Sequence, residues 1–380
     1  MLGFVGDVHT GARSGSEFVR QFIKNYIICY LLPLYQSMGI TQIIQAGDFF
    51  DVRRSLFGRD RDWLTKEFIP ACEKYGIEWH IIVGNHDITL SDSNNINWVD
   101  WLAEESNGYV VDYGKPMEME FENKKFLMLP WINKDNYDEC VDIIESTDAE
   151  YCVGHLELAG FPMYQGSVSE KGIIGIELLR KFKRVITGHY HTISDTDISA
   201  EKDGSSQLTY LGTPYHLNWQ DHKDGTNRGV WTLDVNTNDL VLHKNNESQS
   251  LFRVWEYDDS QFDTAMRKGV GDKDYLNDVL GFKGQIVHIN ITNRESASTF
   301  KKFKDALMRA ETIDYMIADN TKTINSASIV VREEVIQQDV LELMVEKVDA
   351  TEGIRKSEVS KKLKSIHSKI EQKGLVSENS

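Results

Sequence analysis

The sequence predicts an α/β protein, a strand–helix alternation followed by a smaller α/β unit and terminal helices. Three observations carry this. Short apolar runs alternate with segments of helical spacing over residues 2–87, the pattern of a parallel sheet flanked by helices. Several runs end in glycine followed by Asp, Asn or His, which is where open α/β sheets bind their ligands. Composition is globular, 41% hydrophobic and 27% charged over 380 residues, enough for one large domain or two to three ordinary ones.

In chain order, LGFVGD (2–7) reads as a short buried strand ending in an acid. Residues 16–38 have helical spacing, TQIIQAGD (41–48) is a second strand, and 60–75 is helical again. EWHIIVGNHD (78–87) is a third strand, ending in an amide, an imidazole and a carboxylate in succession. KKFLMLPW (124–131), AEYCVGH (149–155), FKRVITGH (182–189), LTYLGTP (208–214) and RGVWTLDV (228–235) form a second group of strands with less helix between them. KNNESQS (244–250) is a polar linker closing a first domain at about residue 245. A strand at 282–292 between helical segments at 258–279 and 297–310 suggests a small α/β domain over 251–330. Residues 333–375 are charged and helical. Val359, Leu363, Ile366 and Ile370 make a stripe suited to core packing or to docking a partner.

Net charge is −17, from 42 Lys+Arg against 59 Asp+Glu. That argues against non-specific coating of a polyanion, though not against a phosphate site whose positive charge comes from bound metal. Cys29, Cys72, Cys140 and Cys152 form no C-x-x-C pair and read as buried free thiols, which suits a reducing cytoplasm. The start, MLGFVGDVH, has no basic region or cleavage site of a secretory leader. The longest apolar run, 26–35, is interrupted by Pro33 and too short to span a bilayer, so no membrane association is expected.

Five of the eleven histidines fall at the strand ends, in Asp7-Val8-His9, Gly84-Asn85-His86-Asp87, Gly154-His155 and Gly188-His189-Tyr190-His191; Gly47-Asp48 with Asp51 completes the set. In D-x-H and H-x-H, alternate residues of an extended segment face the same side, so each pair can face one ion. Imidazoles with carboxylates and no thiolate suit Mn²⁺, Fe²⁺ or catalytic Zn²⁺. Asp7, His9, Asp48, Asn85, His155, His189 and His191 are too many ligands for one ion. They fit two ions sharing a bridging carboxylate, which can clamp a phosphate.

Other polar and aromatic residues have plainer readings. His80, His216, His222, His243, His288 and His367 read as structural, and Asp87 as a group supporting the local turn or a ligand. Arg53 and Arg54 are either phosphate contacts or a solvated pair; Trp63, Phe68 and Trp79 belong to a core. Trp98 and Trp101 are candidates for exposure near the site or at a dimer face.

The ordered set D-x-H, G-D-x-x-D, G-N-H-D, G-H and G-H-x-H resembles the calcineurin-like metallophosphoesterase family over about residues 1–240. GDFFDVRR (47–54), IIVGNHD, CVGHLELAGF (152–161), TGHYHT (187–192) and YLGTP (210–214) are similar to the SbcD-type nucleases of DNA double-strand-break repair. They look in particular like the nuclease subunit of T-even-type phage recombination complexes, a relative of the eukaryotic meiotic-recombination-eleven nuclease. The resemblance implies a β-sandwich flanked by helices as the nuclease domain (1–245), a capping domain governing DNA access (251–330) and a helical ATPase-binding segment (333–375). It implies two divalent ions, Mn²⁺ first and Mg²⁺ second. One would be held by Asp7, His9, Asp48 and His191, the other by Asp48, Asn85, His155 and His189. An activated hydroxide would attack the phosphodiester, His86 would protonate the leaving 3′ oxygen, and Asp51 would orient His86, where some homologues have a histidine instead.

The activity so implied is 3′→5′ exonuclease on duplex ends and endonuclease on single strands, in DNA replication, recombination and repair. The partner would be an SMC-like coiled-coil ABC ATPase of SbcC type, bound by a nuclease homodimer within a heterotetramer. Helices near 56–75 and 95–105 would form the dimer, in the cytoplasm (of the host, if phage-encoded). The same metal core also serves nucleotide and other small-substrate phosphodiesterases or phosphatases, so fold alone leaves that alternative open.

Overall fold

The computed structural model describes residues 1–321 apart from 52, 54, 165, 226 and 247–249; Arg54 and the helical segment expected at 333–375 lie outside the described residues. Two six-stranded mixed sheets make up the first part. Across the first run Asp239–Lys244, Gly229–Asp234, Leu2–Val5, Gln42–Gln45, Glu78–Ile82 and Val110–Tyr113. Across the second run Ser194–Asp197, Gln207–Tyr210, Arg184–Gly188, Tyr151–His155, Lys124–Leu129 and Met117–Phe121. In each sheet four neighbouring strands are parallel: Leu2–Val5 through Val110–Tyr113 in the first, Gln207–Tyr210 through Lys124–Leu129 in the second.

The strand sequences explain the layering. Side chains alternate across a strand, and both faces here are apolar, so each sheet is buried on both sides. Phe4, Ile44 and Ile82 of the first sheet meet Phe126, Met128, Val153 and Ile186 of the second in a central core. The opposite-facing residues Val5, Ile43, Trp79 and Ile81 pack against the helical run Glu17–Asn25, Tyr26–Leu31, Leu32–Ser37 and against Gly58–Tyr75. Leu127, Leu129, Cys152 and Val185 cover the outer face of the second sheet with Cys140 and Ile144 of the helix Tyr137–Ser146. The arrangement is the helix-flanked β-sandwich that the sequence led us to expect.

Several expectations need correction. The strand Gly229–Asp234 does not join the second group. It returns to the first sheet, antiparallel to Leu2–Val5, and Tyr35 Oη, 2.9 Å from Phe4 O and 2.8 Å from Trp231 O, ties the pair to the helical layer. Cys29 is exposed on its helix, whereas the other three cysteines are buried. Trp98 and Trp101 pack, partly buried, against the helix-side core, with the Arg61 guanidinium 4.7 Å from the Trp101 ring centroid. Trp63, Phe68 and Trp79 are core residues.

A third sheet, Phe252–Asp258, Ile286–Asn293 and Asp314–Asp319, lies within 251–330 and encloses its own core of Tyr257, Phe282, Ile289, Phe300 and Phe303. Leu251, Phe252 and Ile286 at its base join the helix-side core of the sandwich. Among the described residues no helix is long and apolar enough to cross a membrane.

Candidate metal centre

Five parallel strands, three in the first sheet and two in the second, end at one edge of the sandwich, and the polar residues of the motifs follow them there. Asp7 and His9 come after Leu2–Val5, Asp48 after Gln42–Gln45, and Asn85 and His86 after Glu78–Ile82. From the second sheet come His155, the last residue of its strand, and His189 and His191 after Arg184–Gly188. The sheets are stitched at this edge: His155 Nδ1 is 2.8 Å from Ala46 O, and the His189 N–H donates to Asp7 Oδ2 at 3.1 Å.

The local backbone is bent to permit the approach. His9, Asp48 and His189 all have positive φ (53°, 55° and 92°), a conformation costing about 1–3 kcal/mol for a side-chain-bearing residue and concentrated at functional sites. Gly84 lies so close to Asp48 that a Cβ there would collide with the Asp48 main-chain nitrogen and Oδ1. Asp87, fully buried, accepts from the N–H groups of Asp48 (2.9 Å), Phe50 (2.8 Å) and Gly84 (2.8 Å), binding the second loop to the third. Burial, then the Asp48 charge, pushes its carboxyl up to about 7 against the pull of the N–H donors.

Two groups of donor atoms meet at Asp48. On one side, His9 Nε2 and His191 Nε2 stand 3.1 Å apart, with Asp7 Oδ2 3.9 Å from His191 and Asp48 Oδ2 3.9 Å from His9. On the other, the same Asp48 Oδ2 is 3.3 Å from His155 Nε2, which is 3.0 Å from Asn85 Oδ1; His189 Nδ1 is 3.1 Å from that amide oxygen. Asp48 Oδ1 is taken up by the His86 N–H at 2.8 Å. Ring nitrogens and carboxylate oxygens converging in a largely buried pocket suit divalent cations of the Mn²⁺ and Zn²⁺ type. The four residues of each set named above could therefore hold an ion, with Asp48 common to both.

Electrostatics reflect that crowding. Burial pushes His9 down, but Asp51, Asp48 and Asp7 outweigh it and raise the ring to about 9. His155 behaves alike, burial opposing and Asp48 prevailing, again to about 9. Burial would raise Asp48, yet His155, His9 and His86 hold it well below the usual carboxylate range. Asp7, where burial wins, lies near 6. Burial and then His155 lower His189 to about 3. Ligands that hold protons in this way release them when a cation binds.

His86 lies beside this array with its ring 5.0 Å from that of His9. Its Nδ1 is 3.2 Å from the Asp51 carbonyl oxygen and 3.8 Å from the Asp51 carboxylate. The carboxylate is nearer His9 Nδ1, at 3.0 Å, though off the line of a hydrogen bond. In the structure His86 is thus hydrogen-bonded to the Asp51 main chain, with the Asp51 carboxylate also at ion-pair distance. Arg53 is exposed.

Two contributors escaped sequence reading. Trp131 walls the second ligand group, its ring 5.0 Å from that of His189 and 6.0 Å from that of His155. Asp221 Oδ1 lies 3.1 Å from His191 Nδ1. Burial pushes Asp221 up, but His191 and its N–H donors bring it down to about 2. Neither sits in a glycine-led strand end, the only signal the motifs offered.

Comparison with known proteins decides the family. Residues 2–192 match the calcineurin-like phosphoesterase family, about half of the chain. The chain belongs to the calcineurin-like phosphoesterases. It is therefore a phosphoester hydrolase of a family that works with divalent metals. Over 357 residues, 93% of this chain and 94% of the relative, it is 29% identical to Exonuclease subunit 1 of Enterobacteria phage T4. Among solved structures it is similar to a dimetal phosphatase from Danio rerio (12% identity, 56% of this chain and 87% of that one, TM-score 0.36). GAP50 of Plasmodium, an anchor in the inner membrane complex, is matched at 14% identity over 56% of this chain and 70% of that one, with a TM-score of 0.33.

Proposed function

We propose that this phosphoesterase is a DNA nuclease subunit, a 3′→5′ exonuclease on duplex ends and an endonuclease on single strands, working with two Mn²⁺ ions. The observation that carries the reading is the double ligand set joined through one oxygen of Asp48, with a further imidazole, His86, beside it. Likeness to Exonuclease subunit 1 along nearly the whole chain supports DNA as the substrate.

Two divalent ions supply an activated water and neutralise the phosphate when bound. The chain's own residues do the rest. Asp7, His9, Asp48 and His191 hold one ion, and Asp48, Asn85, His155 and His189 the other. His86 is a proton donor: with Nδ1 turned to the Asp51 carbonyl, Nε2 is free to deliver a proton to the leaving 3′ oxygen. Trp131 and the buried strand ends limit water around the second set, which strengthens each charge interaction there.

In the same reading, residues 251–330 cap the site and 333–375 dock on a coiled-coil ABC ATPase of SbcC type. The nuclease pairs through helices near 56–75 and 95–105, and the assembly serves recombination, replication and repair of DNA in the cytoplasm. The test is digestion of end-labelled linear duplex and circular single-stranded DNA with Mn²⁺, beside a chromogenic phosphodiester. Degradation of DNA from 3′ ends, lost in Asp48→Ala, is expected. Turnover of the chromogen alone, or full nuclease activity in Asp48→Ala, would sink the proposal.

A further inference from the structure

We infer that Asp221 is a positioning residue of the metal centre, fixing His191 so that its Nε2 faces the first ion. The inference rests on the two-metal reading above. It concerns a segment, residues 213–228, that lies beyond the family-matched span 2–192 and contains none of the strand-end motifs.

His191 is the ligand that needs such help. Its side chain is 26% exposed, against 3% for His9 and 0% for His155, so packing alone does not set its ring. His155 is fixed through Nδ1 by the Ala46 carbonyl. The equivalent hold on His191 is a carboxylate: Nδ1 donates to Asp221 Oδ1 at 3.1 Å, leaving the Nε2 lone pair toward His9 Nε2 and Asp7 Oδ2. A carboxylate on the far nitrogen fixes the tautomer and makes the ring a stronger donor.

Asp221 is itself held rigidly. It is 3% exposed, and its Oδ2 accepts from the N–H groups of Leu217 (2.9 Å) and Asn218 (3.3 Å). Asn218 Oδ1 accepts from Gln220 and Asp221 in return, a reciprocal cap on the short helix Trp219–Lys223. Arg228 braces the other side: Nη2 donates to Asp221 O at 3.1 Å, and Nη1 reaches Thr213 Oγ1 at 3.0 Å and the His191 carbonyl. Asp224 accepts from the Thr192 hydroxyl. One segment therefore grips the side chain of His191 and the main chain around it.

Mn²⁺ titrated calorimetrically into metal-free full-length protein tests the assignment, using wild type, Asp221→Ala, Asp221→Asn and Asn218→Ala. Wild type should take up two ions. Asp221→Ala should weaken one of them about 10–100-fold and leave the other unchanged. Asp221→Asn, which keeps an oxygen acceptor without the charge, should fall between. Asn218→Ala loosens the same helix cap without touching His191 and should retain both affinities. Unchanged affinities in Asp221→Ala would overturn the inference. So would an equal loss in Asn218→Ala, since the segment would then matter only for its folding. A wild type that takes up fewer than two ions would refute the two-metal reading itself, and the assignment of Asp221 would fall with it.

Discussion

In the proposed mechanism His86 is joined to the candidate metal centre by its main chain and to the reaction by its side chain. Its N–H donates to Asp48 Oδ1, a bond any residue but proline can make; its imidazole faces the carbonyl and carboxylate of Asp51 and the edge of His9. His86→Ala should therefore keep both ions, by metal analysis of the desalted protein, while DNA cleavage falls about 10²–10⁴-fold. Loss of metal together with activity would instead make His86 a structural member of the shell. Asp87, the next residue, should behave oppositely. Its two oxygens satisfy three buried N–H groups, so Asp87→Ala leaves three donors unpaired at about 1–3 kcal/mol each before relaxation. A large drop in denaturation midpoint in metal-free buffer is expected, and a shift under about 1 kcal/mol would contradict this account of the turn. Most of this chemistry was legible in sequence because it is local: a glycine and a polar residue at a strand end announce themselves. Asp221 and Trp131 act from distant segments, and W-Q-D-H at 219–222 has only the look of an ordinary helix start. The role of Asp51 was half legible, since its position predicts proximity to His86 but not which of its oxygens faces the ring.

At the scale of elements, the strands bearing motifs were recognisable, and their partners were not. Gly229–Asp234 is as apolar as its predecessors, and nothing in its own pattern distinguishes pairing with Leu2–Val5 from pairing in the second sheet; the choice is made by long-range register and by Tyr35. The hairpin Ile88–Leu90 with Ser93–Asn97 was missed because SDSNN has the composition of a loop. The strand Glu78–Ile82 carries a further consequence. His80 in its middle is buried between the sheets, with Nδ1 2.8 Å from Tyr113 Oη and its ring against Phe121 at 4.7 Å. Burial lowers its pKa from 6.5 to about 4. The folded chain thus binds this proton less readily than the unfolded chain. Its contribution is complete above about pH 6.5 and is lost as pH falls toward 4, by roughly 3 kcal/mol. His216, also lowered to about 4 by burial, acts with the same sign. Denaturation midpoints from pH 7.5 to 4.5 should decline more shallowly in His80→Gln than in wild type; parallel curves would rule His80 out as a source of the acid sensitivity.

For the whole molecule, the described sandwich and the third sheet up to Ala318 belong to one compact unit, Met1–Ala318. A chain ending at residue 332 should accordingly fold and bind two ions as the full chain does, yet fail to co-purify with the coiled-coil ATPase; unchanged co-purification would remove residues 333–375 from the docking scheme. The net charge of −17 bears on how such an enzyme holds DNA. A basic DNA-binding domain gains affinity by releasing counterions, and its binding constant falls steeply with salt, by a slope of about −0.9 for each phosphate neutralised. This chain has 17 more acidic than basic side chains, and the one described residue of the Arg53-Arg54 pair is a single exposed arginine. In the proposed mechanism the positive charge at the site would come with the ions, which would meet one or two phosphates rather than a long backbone tract. The isolated subunit should therefore bind duplex ends weakly, with a log–log salt slope of about −2 to −3. Replacing Mn²⁺ by chelator should remove most of that binding, as measured by fluorescence anisotropy over a salt series. A slope near −6 or steeper, persisting without metal, would mean that a basic surface contributes the affinity and that the ions serve only the chemistry.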